Sequence, residues 1–431
     1  MFGVHGLVDR RTRVSARSSL LVVSLRTSDP TRDPIRHGQG GLSRAATCAR
    51  RIDRVARGRT TGIENGRNHL PSAKTSACRR YIGATDLIGV GKRGWGSFPA
   101  MPEDRTPSHP ADAAPADVPF GPELGHRTVT HACITTFGCL TGDHARMHFD
   151  RSFASGSEGR GTIAHGLLSA AWSLGALTLH APERLGVGDP AASLAGYSIR
   201  FRRPVHEGDR FALRLRETNR MATEGLGAGS GPHTDFELVD QRGEVTCSGR
   251  VSVARDELGA PSPPPLLEIG SPRRPPTADI LYADDMLERG PRGESLGRTL
   301  GEADVVAWTG FTGELDPAYL NAEFAARRRA GGRIVPPMLV FCLGFGDFLR
   351  DLLRFRMPDS GFAGHVGDAW RQLAPVRPGD TIRTRYAAVS VTPTRSRPGR
   401  AIVEFALQSL DQRDSIVQDG RVAMMMSVRP R

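Results

Sequence analysis

The chain has 431 residues and carries 58 Lys/Arg against 46 Asp/Glu, a formal net charge of +12. That length predicts two or three domains with enough apolar content for real cores, and the charge taken alone would suggest a nucleic-acid or anionic-membrane partner. Once located, it excludes that use of the folded part: residues 1–100 hold 19 Lys/Arg and 6 Asp/Glu, and residues 101–431 hold 39 and 40.

The first hundred residues are rich in Arg, Gly, Ser and Thr and lack sustained apolar periodicity. Leu20-Leu-Val-Val23 is too short for a signal-peptide core of roughly 7–15 residues. An organellar transit peptide shares this composition. The abrupt change at Met101-Pro-Glu-Asp favours a natural start there, with residues 1–120 forming a basic extension and lead-in. Gly89-Val-Gly-Lys-Arg-Gly94 matches a dinucleotide-binding fingerprint, but Trp95-Gly-Ser-Phe-Pro99 follows where a helix would have to begin, so chance accounts for it. The six cysteines, Cys48, Cys78, Cys133, Cys139, Cys247 and Cys342, form no CxxC pair and no metal spacing, which fits a reducing cytoplasm. No apolar run approaches the ~18 residues of a membrane span, and the chain is expected to be soluble.

From residue 121 the chain repeats itself at an offset of 171 positions. Arg127-Thr128 recurs as Arg298-Thr299, Thr141-Gly-Asp143 as Thr312-Gly-Glu314, and Phe153-Ala154 as Phe324-Ala325. Pro204-Val-His-Glu-Gly-Asp209 recurs as Pro375-Val-Arg-Pro-Gly-Asp380, Asp240-Gln-Arg242 as Asp411-Gln-Arg413, and Gly249-Arg-Val251 as Gly420-Arg-Val422. The copies are expected at 121–256 and 292–431, joined by a proline-rich, semi-rigid linker at 257–291.

Each copy has one order of elements. A short amphipathic lead (Thr130 to Leu140; Glu302 to Phe311) precedes a polar motif. A long apolar segment follows (Ala164 to Leu179; Pro336 to Leu349), which as a helix apolar nearly all round must be buried on most sides. Alternating stretches such as Phe211-Ala-Leu-Arg-Leu-Arg216 and Thr381-Ile-Arg-Thr-Arg-Tyr386 then read as strands, with Gln241-Arg-Gly243 and Gln412-Arg-Asp414 as hairpin turns. The pattern predicts an α+β fold in which each half wraps an antiparallel sheet around a buried central helix.

The polar motif of copy one, Thr141-Gly-Asp-His-Ala-Arg-Met-His-Phe-Asp150, places a carboxylate, Asp143, five residues before an imidazole, His148. Such a pair sharing one water is the minimum apparatus for adding or removing water by general acid–base chemistry. Asp143 could instead cap a helix; its joint occurrence with His148, Asp150 and His165-Gly166 favours function. His144 and His148, four apart, could bind a metal from one helical face, but the residues between them are wrong for the metalloprotease pattern, and no metal is expected. Arg327-Arg-Arg329 could meet phosphates, although a charge run is more often a solvated face. The Pro-Val-x-x-Gly-Asp motifs read as turns before strands.

These residues resemble the MaoC-type dehydratases, a hot-dog-fold family that includes the (R)-specific enoyl-CoA hydratases, and the likeness covers residues ~121–428 as a tandem double hot dog. The family motif runs roughly Gly-Asp-x-Asn-Pro-x-His-x-Asp, with a His-Gly pair opening the central helix. Gly142, Asp143, His148, Asp150, His165 and Gly166 match it, whereas Ala145-Arg146 replaces Asn-Pro. The stretch Ala145-Arg-Met-His-Phe-Asp150 is also similar to mesaconyl-CoA hydratase-like members, which implies a branched or dicarboxylic acyl-CoA as an alternative substrate. The resemblance implies a hydro-lyase acting on an enoyl-CoA or 3-hydroxyacyl-CoA, with Asp143 and His148 catalytic. It places His165, Gly166, Asp150 and Arg146 at the oxyanion and substrate positions. No cofactor is implied, the partner is an acyl-CoA substrate, and a homodimer is left open. In copy two, Glu314 stands for Asp143, Tyr319 for His148 and Pro336-Pro337 for His165-Gly166, so that half is expected to complete the fold without doing chemistry. The competing functions are a non-catalytic acyl-CoA-binding subunit, a nucleic-acid-associated protein using the basic N-terminus, and a hot-dog thioesterase.

Overall fold

The computed structural model describes residues 119–155, 161–216, 220–221, 232–255, 262–272, 279–358 and 362–430. The basic extension, the fingerprint at 89–94, Cys48, Cys78 and parts of the linker lie outside the described residues.

The first half runs β1 (Leu124–Thr128), α1 (His131–Thr141), two short turns α2 (Arg146–Phe149) and α3 (Arg151–Ala154), and the long α4 (Gly166–His180). Strands β2 (Ala192–Phe201), β3 (Arg210–Leu215), β4 (Arg220–Met221), β5 (Pro232–Val239) and β6 (Val245–Arg255) complete it. The second half opens with a short turn, α5 (Met286–Arg289), and then β7 (Arg292–Glu294) and β8 (Arg298–Thr299). It then repeats the plan with α6 (Glu302–Thr312), α7 (Pro317–Leu320), α8 (Ala322–Ala326) and the long α9 (Pro337–Leu352). Strands β9 (Phe362–Gln372), β10 (Thr381–Pro393), β11 (Arg400–Leu410) and β12 (Ile416–Ser427) follow. Among the described residues no helix is long and apolar enough to cross a membrane.

Local chemistry sets the helix limits. The hydroxyl of Thr130 caps α1 by accepting from the Cys133 amide at 3.2 Å, and α1 ends where Gly142 turns to φ +79 and its N–H returns to the Gly138 carbonyl. Such a left-handed residue is a standard helix stop, nearly free of strain only for glycine. Gly313, at φ +88, ends α6 in the same way. The chain therefore turns sharply just before Asp143 and just before Glu314. The central helix α4 is buried from Leu167 through Thr178. Each of its fully buried leucines, such as Leu168 and Leu174, contributes on the order of 1.5–3 kcal/mol of hydrophobic stabilisation.

The strands form one continuous antiparallel sheet in the order β1-β3-β5-β6-β2-β9-β12-β11-β10-β7, with β4 beside β5 and β8 beside β10. The halves join where β2 pairs β9, and in that pairing Ser198 lies opposite Ala369, residues that are themselves 171 positions apart. The sheet thus has an approximate twofold axis through this pair. The helices obey the same symmetry. A Cβ on Gly346 of α9 would overlap the Thr141 carbonyl oxygen at the end of α1, and a Cβ on Gly175 of α4 would overlap the carbonyl oxygen of Thr312 at the end of α6. Each central helix therefore presses its backbone against the turn that ends the other half's lead helix.

The linker is held against the sheet over part of its length. Leu267 donates its N–H to Gln408 Oε1 at 2.7 Å, and Gln408 Nε2 donates to the Pro265 carbonyl at 3.1 Å. A free spacer would leave these backbone groups to water; here a buried glutamine of β11 takes them up.

Candidate active site

The turn at Gly142 delivers Asp143 into the interior, where it is 4% exposed. Its Oδ1 accepts from the Ala145 amide at 3.1 Å, which leaves Oδ2 for other partners. His148, five residues on in α2, is also buried. Its Nδ1 lies 2.8 Å from the Ile163 carbonyl oxygen, a contact that requires an N–H on Nδ1 and so leaves the lone pair on Nε2. That Nε2 is 4.0 Å from Asp143 Oδ2, too long for a direct hydrogen bond and suited to one bridging water.

His165 is the N-cap of α4 and makes no capping bond with its side chain. Its ring instead stacks on His148 at 3.7 Å between centroids, and its Nε2 lies 3.1 Å from the Asp143 carbonyl oxygen. His165 thereby ties the start of the central helix to the Asp143 loop. Burial holds the His148 imidazole below its usual pKa of 6.5, against the opposing pull of Asp143 and the Ile163 carbonyl. Burial, reinforced by the neighbouring His148, pushes His165 well below that value. Both rings are neutral at pH 7. Gly166, the first residue of α4, lines the cavity. A Cβ there would meet the Phe201 ring at 2.9 Å, so glycine lets that ring close over the helix start while the first amides remain without intrahelical partners.

Arg146 also lines the cavity. Its guanidinium pairs with Asp150 Oδ2 at 2.7 Å and lies over the Phe153 ring. Asp150 stands outside the cavity wall. It caps α3, accepting from the Ser152 and Phe153 amides at 3.1 Å, and its carboxyl is held low by Ser152, Arg146 and the Phe153 amide. The expected substrate-binding pair is therefore divided: Arg146 faces the cavity, and Asp150 orients Arg146 from behind.

Asp143, His148 and His165 could each offer a donor atom within 4.8 Å of the others. His165 Nε2 is engaged with the Asp143 carbonyl, so ligation by His165 would have to use Nδ1, which is buried without a hydrogen-bond partner. His144 is exposed and packs on Phe149, so it does not join His148 as a ligand pair.

The cavity, about 750 Å³, draws its walls from both halves. Arg202, Arg203 and Arg242 come from the first half, and the apolar Phe345, Leu349, Phe355 and Met425 from the second. His365 on β9 and Arg397 in the β10–β11 turn also face it. Sequence reasoning missed both residues. A signal existed for the first, since at the 171-residue offset His365 and Asp368 replace Leu194 and Tyr197.

The pseudo-equivalent position in the second half is closed. Glu314 is 2% exposed and accepts from Trp308 Nε1 at 2.5 Å. Its carboxyl is pushed up to about 8, chiefly by burial. Tyr319, at the position of His148, is buried and raised well above 10 by that burial and by Glu314. Neither residue lines the cavity.

Residues 119–229 match the MaoC like domain, and residues 293–419 match the FAS1-like dehydratase domain region. The chain is 31% identical over 122 residues to a 3-hydroxybutyryl-CoA dehydratase of Methylorubrum extorquens, a span of 28% of this chain and 73% of that protein. It is 28% identical over 150 residues to an (R)-specific enoyl-CoA hydratase of Rhodospirillum rubrum, spanning 35% of this chain and 94% of that one. Among solved structures, a MaoC domain protein dehydratase from Chloroflexus aurantiacus superposes with a TM-score of 0.53 at 17% identity, covering 75% of this chain and 99% of that chain. A double-hotdog-fold protein from Mycobacterium tuberculosis gives 0.51 at 15%, covering 74% and 98%. The architecture is that of the double hot-dog dehydratases. The chain belongs to the MaoC-like dehydratase family and is an enzyme of the hydratase/dehydratase class.

Proposed function

We propose that the enzyme reversibly hydrates a trans-2-enoyl-CoA to a 3-hydroxyacyl-CoA, with Asp143 and His148 as its catalytic pair. The observation that carries this reading is the 4.0 Å gap between Asp143 Oδ2 and His148 Nε2, with the Nδ1 contact to Ile163 fixing the tautomer that leaves Nε2 as a base. A water in the gap donates one hydrogen bond to each group. As its oxygen bonds to C3, its proton passes to His148 Nε2 and the C2–C3 π pair moves toward the thioester oxygen. The imidazolium, stabilised by Asp143, then returns the proton to C2 as the enolate collapses.

The thioester oxygen carries charge in the transition state. Amides at the start of α4, beginning with Gly166, supply hydrogen bonds and helix-end polarity for it. No redox or electron-sink group is required, because the thioester itself acidifies the α-carbon. The cationic rim (exposed Arg146 and Arg242, half-buried Arg202) suits the coenzyme's phosphates, and the apolar second-half wall suits an acyl chain. Glu314 and Tyr319 leave the second half as a wall and not a second site.

The test is hydration of crotonyl-CoA and longer 2-enoyl-CoAs, followed by loss of the enoyl-thioester absorbance. Asp143→Ala and His148→Ala each abolish turnover while circular dichroism and melting stay close to wild type. Undiminished turnover in either variant overturns the assignment.

A further inference from the structure

The two halves differ on the sheet face that packs against the central helix. In the first half Phe211, Leu213 and Leu215 of β3 and Leu238 of β5 are buried there, and Trp172 of α4 meets Phe211 edge-on at 5.7 Å. The second half has Ile382, Thr384, Tyr386 and Ser409 at these positions, and Leu343 in place of Trp172. The strand pairing is the same, with Leu213 opposite Leu238 and Thr384 opposite Ser409, so three leucines have given way to hydroxyl side chains on a core face. Burying hydroxyls in place of leucine is unfavourable unless they find partners. Here they face a cavity of about 490 Å³ bounded by α9, β8 and β10, which shares no lining residue with the catalytic cavity. Gly344 stands where α4 has Ser173, and a Cβ on it would come within 2.9 Å of the Thr384 hydroxyl. Thr384 is 2% exposed. Its amide donates to Ser295 Oγ and its carbonyl accepts from the Ser295 amide, which leaves the hydroxyl without a partner among the described residues.

Two carboxylates, Asp347 and Asp351, lie one turn apart on α9 and line the same cavity, where the first half has Ala176 and His180. Asp351 Oδ2 accepts from the Tyr386 hydroxyl at 3.3 Å, and burial holds that carboxyl above its ordinary pKa. Each aspartate has one arginine three residues on, Arg350 at 2.9 Å from Asp347 and Arg354 at 3.5 Å from Asp351. Both arginine side chains are 65% exposed, and ion pairs this open to water are weak. The other charged lining residues are engaged, Glu294 with Arg383 and Arg385, and Arg298 with Asp304. The more enclosed layer therefore holds two weakly neutralised carboxylates and two hydroxyls, with the apolar Val340, Leu343 and Ile382 beside them. Acceptors and negative charge on an apolar bed suit a ligand that only donates hydrogen bonds, carries positive charge and has a short hydrocarbon part.

We propose that this second cavity binds a small aliphatic ammonium ion, with its charge at Asp347 and Asp351 and its alkyl part on Val340, Leu343 and Ile382. The site stands apart from the enoyl-CoA reading. Thr141 and Gly142 form another of its walls, so the occupant rests against the turn that delivers Asp143, from outside the catalytic cavity.

The probes are butylammonium and butane-1,4-diammonium chlorides, with butan-1-ol and sodium butyrate as neutral and anionic counterparts. Each is titrated calorimetrically into the full-length protein at constant ionic strength. Wild type binds the ammonium ions in preference to the alcohol and the carboxylate. Asp351→Asn lowers their affinity roughly 10- to 100-fold, the range expected for a hydrogen bond to a charged group. Thr384→Leu, which installs the first half's residue, fills the cavity and abolishes binding while melting at or above the wild-type temperature. If that variant does not fold, Asp347→Asn replaces it, with the same expected fall as Asp351→Asn. Equal binding of butan-1-ol, preferential binding of butyrate, or no binding of either ammonium ion overturns the proposal. Affinity that survives the substitutions overturns it too, since it then resides on carboxylates elsewhere. No turnover enters the measurement, so failure of the proposed reaction and failure of this site are read separately.

Discussion

Glu314→Gln isolates what burial does to the counterpart of the catalytic aspartate. Glu314 has an ordinary pKa of 4.5 and is raised to about 8 in the fold, mainly by burial, with the Trp308 N–H as a partial offset. A carboxyl raised on folding binds more protons in the native than in the unfolded state over the interval between those values. Its full contribution is therefore present below pH 4.5 and is lost as pH rises toward 8. From the 1.36 kcal/mol carried by each pKa unit, the stability lost between pH 5 and pH 8 is on the order of 3 kcal/mol. Glutamine keeps an acceptor for Trp308 Nε1 and has no charge to bury. The variant and wild type should therefore melt at similar temperatures at pH 5. By pH 8 the variant should be more stable by about 3 kcal/mol, several degrees in Tm for a fold of this size. Calorimetry at the two pH values measures this directly. A pH-independent difference between the proteins refutes the reasoning, because it means that Glu314 is ionised in the fold or accessible to water.

Three further outcomes follow from the same geometry. Gly346→Ala puts a methyl against the Thr141 carbonyl, with the carbonyl carbon at 3.1 Å; it should cost about 1–3 kcal/mol through overpacking and, by shifting the Asp143 loop about 1 Å, reduce kcat roughly 10²-fold, whereas unchanged kcat despite lower Tm would dissociate the docking from catalysis. Burial lowers the His148 pKa, and the active form is the neutral imidazole, so the acid limb of kcat/KM should fall below pH 6.5; a limb at or above 6.5 contradicts the assigned base. Dialysis against a chelator should leave turnover intact, since the proposed Asp143–His148 pair moves the water's proton by acid–base chemistry alone; activity lost and restored by a divalent ion would point to a metal at Asp143 and His148.

The parts of this molecule that the sequence displays are those written locally or written twice. The helix stop at Gly142, the carboxylate after it and the imidazole five residues on fall within one short segment, where turn chemistry and spacing suffice to bring two side chains together. The repeat at 171 positions exposed the architecture because substitutions between copies spared the landmarks of turns and helix ends. What stayed hidden depends on contacts across long separations. Nothing local marks Arg397 or His365 as lining the cavity that holds His148, because strand pairing and helix packing across the two halves bring them there. Asp150 shows the opposite difficulty: an aspartate following a histidine motif suggests chemistry, while its backbone partners at Ser152 and Phe153 make it a cap. The linker's proline-rich composition was legible, but its attachment to Gln408 was not, since it depends on one side chain of a strand more than a hundred residues away.

The docking of Gly346 on Thr141 also bears on biosynthesis. Asp143 and His148 leave the ribosome about 200 residues before the helix that braces their loop, so at ordinary elongation rates the catalytic segment waits roughly 10–40 s for its support. During that interval the edge of β2 that will receive β9 is unpaired, and the face of α1 that will receive α9 is bare. A nascent first half therefore depends on the arrival of its own sibling sequence, or on a chaperone, to keep that edge from pairing with another chain.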